Sequence, residues 1–234
     1  IIIENPSNGL VMSVPEAQAM GFTFASYQDG LEITGFENKM FKSTINVPAQ
    51  IGDFEVLRIG DNAFEGQSNL KAINLPDSVV EIGDYSFSGC SSLNNFDINK
   101  VETIGKYAFQ KCTGFVSIDI DEHVKSLGAH IFEDCTSLQN VTIHGANTKA
   151  GLFMFKGCYN AEHKLSLTVP CSVVNQGILG SGLSTGSDYG TGIGILNIIP
   201  DTLSTTVTGS LSGCPHTREI NFAEGIIGIS GDAA

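Results

Sequence analysis

Six cysteines, five histidines and two aspartates set one repeat apart are where this 234-residue chain could do chemistry. Cys90, Cys112, Cys135 and Cys158 recur at steps of 22, 23 and 23 residues. Such a step puts them on the same rung of successive coils, side by side and pointing one way, which suits a disulfide poorly. They are expected as buried free thiols, while the state of Cys171 and Cys214 stays open. Those two could be imagined with His163 and His216 as a zinc cluster, but no pair has C-x2-C or H-x3-H spacing, so no metal site is expected. Gly180, Gly182 and Gly186 fall one residue off a dinucleotide fingerprint, and no amphipathic helix follows them. The reading there is a loop, with no cofactor.

His123, His130, His144, His163 and His216 occupy different places in the repeat, and none has a G-x-S-x-G nucleophile beside it. No catalytic residue is assigned and no enzyme is expected; a hydrolase would have its site in the irregular region 159–216. Glu133 and Asp134 stand at a turn and read as a solvated corner. Net charge is -13 with only 12 Lys and Arg, which disfavours nucleic acid and anionic membranes as partners. The apolar runs fall short of a membrane span. The chain opens on Ile1 rather than Met, which reads as a processed or trimmed start.

The elements that must position these groups are written in three columns. Gly60, Gly83, Gly105, Gly128 and Gly151 are separated by 23, 22, 23 and 23 residues. Phe64, Phe87, Phe109, Phe132 and Phe155 keep the same steps, as do Gln67, Cys90, Cys112, Cys135 and Cys158. A recurrent Gly marks a corner needing positive φ or close approach to the neighbouring coil. The Phe can then drop inward and stack offset on its counterparts, and the Cys fills space as a small apolar group. Next come alternating apolar residues, such as Ile73 and Leu75 or Ile118 and Ile120, which spell a short strand with one face inward. Ser78 to Ile82 reads as a second short strand. Ordering one such coil costs roughly 35 kcal/mol at about 1.5 per residue. A lone coil leaves both flanks of its core wet, so the coils must stack.

The period strains after Phe155. Leu211 and Cys214 resume it 56 residues later, two steps of 23 plus ten. A degenerate coil with Ile178 near the Phe column, carrying a surface insertion from Gly180 to Gly192, accounts for the excess. At the front, Asp29-Gly30 sits between two alternating runs as a hairpin turn. Residues 1–58 are thus expected as an N-terminal β cap with the first degenerate coil. Residues 59–234 are expected as the solenoid, irregular at about 159–195 and broken off in its last coil, so that the parent protein continues.

The consensus of the coils, I-G-x-x-x-F-x-x-C-x-x-L-x-x-h-x-I-x-x-x-V, resembles the BspA-type leucine-rich repeat family. The likeness is carried strongly by residues 43–158 and weakly by 195–229; Gln67 and Ala161 depart from it. It implies an α/β-type, mostly β, right-handed stack of 22- to 23-residue coils with a parallel β-ladder. It further implies a secreted or surface-displayed binding scaffold, in some members an adhesin for host matrix or cells, and names no ligand.

With chemistry unsupported, a surface remains. Parallel stacking should align Asn46, Asn74, Asp97, Asp119, Thr142 and Asn221 in one outward row, with Ala72, Asn95, Ser117, Asn140 and Glu219 in a second. The candidate ligand-binding face is Asn74, Asn95, Asp97, Ser117, Asp119, Asn140, Thr142 and Asn221. Its expected partner is a host or neighbouring-cell protein or glycan; the alternative is an architectural spacer. Asp97 and Asp119 should lie about 5 Å apart across rungs, a repulsive pair that a cation, a basic partner or simple tolerance would explain. Asn140-Val141-Thr142 is a glycosylation sequon, relevant only in a eukaryotic host.

Overall fold

The computed structural model describes residues 4–5, 9–37, 42–98, 100–158, 165–175, 193–201, 206–207, 219–226 and 228–229. The expected insertion at 180–192, Ile178 and Leu211 of the Phe column, Cys214, His163, His216 and the closing segment 230–234 lie outside them. The chain begins with β1 (Glu4–Asn5), β2 (Gly9–Met12), α1 (Val14–Met20), β3 (Phe22–Tyr27), β4 (Gly30–Phe36), β5 (Thr44–Asn46), β6 (Gln50–Ile51) and β7 (Phe54–Ile59). It continues with β8 (Ala72–Asn74), β9 (Glu81–Ile82), β10 (Asn95–Phe96), β11 (Thr103–Ile104), β12 (Ser117–Ile120) and β13 (Ser126–Leu127). Then come β14 (Asn140–Ile143), β15 (Lys149–Ala150), β16 (Leu165–Pro170), α2 (Cys171–Asn175), β17 (Ile193–Ile199), β18 (Thr206–Val207), β19 (Glu219–Phe222) and β20 (Gly228–Ile229).

The coils stack in parallel as a mostly-β solenoid. One line of strands runs β7-β9-β11-β13-β15 without interruption. β3 and β4 form the expected antiparallel hairpin, though its two turn residues are Gln28 and Asp29, with Gly30 already paired to Tyr27, and β4 joins this line through β7. The helix α1 had no sequence expectation. Ser13 and Glu16 close a capping box at its start, and Gly21 ends it at φ 104°.

The Phe column is the axis of the core. Phe64, Phe87, Phe109, Phe132 and Phe155 stack ring on ring at 5.2, 5.4, 5.7 and 5.8 Å with planes within about 11° of parallel. The Cys column has a task beyond filling space. Each thiol donates to the Phe carbonyl of the coil before it: Cys90 to Phe64, Cys112 to Phe87, Cys135 to Phe109 and Cys158 to Phe132, at 3.0–3.2 Å. Gln67, which breaks the column in sequence, keeps it in function, since its Nε2 donates to Phe36 O at 3.0 Å. These four thiols form no disulfide, and they and Cys171 are buried.

Close approach, not positive φ, is what the Gly column supplies. Positive φ belongs to two other columns, Asn62, Tyr85, Tyr107, His130 and Phe153, and Gly66, Gly89, Lys111, Asp134 and Gly157. A Cβ on Gly128 would lie 2.3 Å from Gly105 C and 2.4 Å from Gly105 O, backbone that cannot swing aside. Gly128→Ala should therefore cost about 2–3 kcal/mol, at the top of the overpacking range. That is roughly 5–10 °C in Tm for a chain of this size, readable by circular dichroism melting. At Gly66, where a Cβ meets nothing within 4 Å but φ is 72°, alanine should cost only about 1 kcal/mol.

A candidate binding groove at a break in the strand ladder

The second line of strands, which carries the candidate face, is not continuous. β5, β8 and β10 form one sheet; β12, β14, β16, β17 and β19 form another. In the intact stretches the first residues of each strand donate back to the previous coil. Asn94 and Asn95 donate to Lys71 O, and Gln139 and Asn140 to Val116 O. The corresponding bonds from Val116 and Ser117 to Asn94 O are missing among the described residues.

Two features of the sequence part these coils. The connection from Phe96 to Ile104 is one residue shorter than its counterparts, Ile73 to Ile82 and Ile118 to Leu127, which pulls β10 away from its neighbour. Aromatics also stand in aliphatic columns: Phe96 where other coils have Ile or Val, and Phe115 where they have Leu. Both rings set themselves edge-on to Phe109, at 4.8 and 5.8 Å. The coils still touch just before the gap, where a Cβ on Gly114 would come within 2.7 Å of Leu93 O.

A cleft of about 470 Å3 occupies the break. Asn95 and Asp97 stand on one wall, Ser117, Asp119 and Asp121 on the other, with Phe96 and Phe115 between them. A smaller cleft of about 150 Å3, lined by Asn74, Asp77 and Lys100, adjoins it and shares Asp97 and Ile98. Asp97 lies just beyond β10, and among the described residues β10 and β12 share no rung, so strand register does not set the expected aspartate pair. The two carboxylates face a common opening instead. Asp119 Oδ1 lies 2.5 Å from His144 Nε2. Asp121 pairs with His123 through both its backbone N–H and its ring, and the backbone bond, with the ring's help, holds its carboxyl below the usual range.

Of the eight candidate residues, Asn95, Asp97, Ser117 and Asp119 gather at this opening, with Asn74 next to it beside Asp97. Asn74 Nδ2 donates to Asn46 Oδ1 at 2.6 Å. Asn140 and Thr142 flank the groove on β14, in register with Ser117 and Asp119. Asn221 is farther off, on β19, where its Nδ2 donates to Asn197 Oδ1 at 2.9 Å. Sequence reasoning missed Asp121 and His144 at the groove, and Ser166, Thr168 and Asn197 in the rows. The last three lie in two successive coils, β16 and β17, where the period is strained. Register places Thr168 and Asn197 between Thr142 and Asn221.

Other polar clusters are accounted for by packing. Arg58 meets Glu32, Asp61 and Glu81 at 2.5–2.7 Å and lies over the Tyr27 ring, clamping the β3-β4 hairpin to the ladder. Burial would lower its pKa, but the hydrogen bonds it donates to Glu81, Glu32 and Asp61 outweigh that and raise it. Glu133 is not on a solvated corner. It is buried, held by Lys156 Nζ at 2.9 Å and beside His130 Nδ1 at 2.7 Å. Ser117, Asp119 and His144 all line the groove, and the imidazole is turned to Asp119, whose Oδ1 meets its Nε2 at 2.5 Å. No hydrogen bond among the described residues joins Ser117 to the imidazole as a nucleophile–base pair would require. Among the described residues no group of three or more His, Cys, Asp or Glu is arranged to hold a metal, and no helix is long and apolar enough to cross a membrane.

Comparison with known proteins gives the same architecture. The model of the BspA type leucine rich repeat region matches residues 34–164 in six copies. A leucine-rich repeat protein of T. pallidum superposes with a TM-score of 0.60 at 22% identity, covering 91% of this chain and 81% of its own. One from Bacteroides capillosus gives a TM-score of 0.48 at 25% identity, covering 54% of this chain and 96% of its own. A search of curated proteins finds no match.

Proposed function

From the premise that this chain belongs to the BspA-type leucine-rich repeat family, we propose that it is a non-enzymatic protein-binding scaffold. Recognition is assigned to the polar side of β8, β10, β12, β14, β16, β17 and β19, displayed outside the cytoplasm toward host or neighbouring-cell proteins or glycans. One observation carries this reading. Asp119, Thr142, Thr168, Asn197 and Asn221 stand in register across five strands, while the alternate positions Val141, Leu167, Leu196 and Ile198 are buried. The core thus fixes the backbone and leaves a row of short donors and acceptors already in place, so little ordering entropy is lost when a partner docks.

The test is a panel of immobilised extracellular proteins and glycans probed with the whole chain. Thr142→Trp combined with Asn197→Arg should lower binding to any hit by roughly tenfold or more, with Tm moved by no more than about 2 °C. No hit across the panel, together with an elongated small-angle scattering profile, would replace this reading with an architectural spacer. A hit unaffected by the double variant would move recognition off this face.

A further inference from the structure

We propose that the interruption between β10 and β12 is a docking site for an extended, basic segment of a partner polypeptide, which supplies the missing strand contacts. The proposal rests on the scaffold reading above and narrows it to one place and one chemistry.

The backbone supplies the first argument. Among the described residues, the Val116 and Ser117 N–H groups and the Asn94 carbonyl have no coil-to-coil bonds, although their counterparts in neighbouring coils do. All three residues are exposed, and Asn94 and Ser117 line the opening. Unpaired strand edges are templates for an added strand. Proteins usually hide such edges at the ends of a sheet; here two are held open in the middle of a ladder by a shortened connection and two misplaced rings.

Charge supplies the second. Asp77, Asp97, Asp119 and Asp121 line the two clefts, against Lys100, the His144 beside Asp119 and the His123 beside Asp121. In a chain of net charge -13, the surrounding field also draws in a cationic segment. A second copy of this chain brings the same negative charge and is disfavoured. Space is the third: the cleft of about 470 Å3 has a second of about 150 Å3 beside it, the two sharing Asp97 and Ile98 in their walls. Phe96, half-buried in the larger cleft, offers apolar surface to the stem of a Lys or Arg whose charge stays at the rim.

The probe is a blocked, fluorescent peptide alternating threonine and lysine, titrated into the whole chain by anisotropy. Saturable binding is expected, with amide exchange at Val116 and Ser117 slowed in the complex. N-methylating alternate peptide amides should weaken it roughly tenfold, about two hydrogen bonds' worth. Asp97→Asn with Asp119→Asn should weaken it roughly fivefold or more, while Asp53→Asn, remote from the groove, should not. Replacing lysine by glutamate should abolish it. Equal affinity for the N-methylated peptide would reveal diffuse attraction to an acidic surface and overturn the proposal, as would indifference to the aspartate variants or no binding. If the peptide fails while Thr142→Trp with Asn197→Arg still blocks a panel hit, the groove falls and the scaffold reading stands; if both fail, both fall.

Discussion

Phe109→Ala should destabilise the chain by about 3–5 kcal/mol, the range for truncating a fully enclosed ring, or roughly 10–15 °C in Tm. The ring is 1% exposed and is gripped from four directions. Phe87 and Phe132 lie flat on its faces at 5.4 and 5.7 Å, and Phe96 and Phe115 meet it edge-on. The backbone on either side is held by coil-to-coil hydrogen bonds, so the cavity cannot close. In a stack, stability is a sum of neighbour contacts, and this residue stands where one of the two strand lines is already cut. Denaturant unfolding of Phe109→Ala and Phe109→Leu checks the argument, the leucine costing about half as much. Equal and small losses in both would mean that the rings are not the axis of the core.

A second large effect is alkaline fragility. Burial pushes the Cys90 thiol up to about 12, and raises Cys112, Cys135 and Cys158 well above their usual range. In the unfolded chain a thiol ionises near pH 8.5; in the folded chain these four stay protonated. Above that pH the unfolded state therefore binds fewer protons. The stabilisation is complete below it and is lost as pH rises, at about 1.4 kcal/mol per thiol per pH unit. Four thiols lose roughly 8 kcal/mol by pH 10. Urea midpoints measured between pH 7.5 and 10 should fall steeply, and Cys112→Ala with Cys135→Ala should remove about half of the slope. An unchanged slope would show that the thiols are not sealed. A thiol reagent at pH 8 gives an independent reading, since Cys90, Cys112, Cys135, Cys158 and Cys171 should be labelled no faster than the chain unfolds.

The same columns explain how far the sequence could be read. Equal steps in Gly, Phe and Cys announce identical coils, and identical coils can bury their flanks only on one another. The stacked rings, free thiols and parallel strands are therefore legible without coordinates. Gln67 shows the limit of matching by residue type: it departs from the Cys column yet donates to a carbonyl as the thiols do. Glu133 shows the limit of reading polarity as exposure, because its burial depends on Lys156 one coil further on.

The groove was legible only in part. The single step of 22 among steps of 23 is printed in the chain, and it falls in the connection after β10. What a missing residue does is not a local property: the coil could have taken up the loss at its corner, or in its strand, or by parting from its neighbour. The outcome depended on Phe96 of one coil and Phe115 of the next both packing edge-on to Phe109, a contact between two coils. Periodicity reports what each coil has in common with the next and so specifies the stack; it says nothing about how two coils that differ will share one interface. That sharing is set by volume and hydrogen bonding across the interface, which exist only once the coils are packed, and it is there that Asp97 and Asp119 come to face an opening instead of each other.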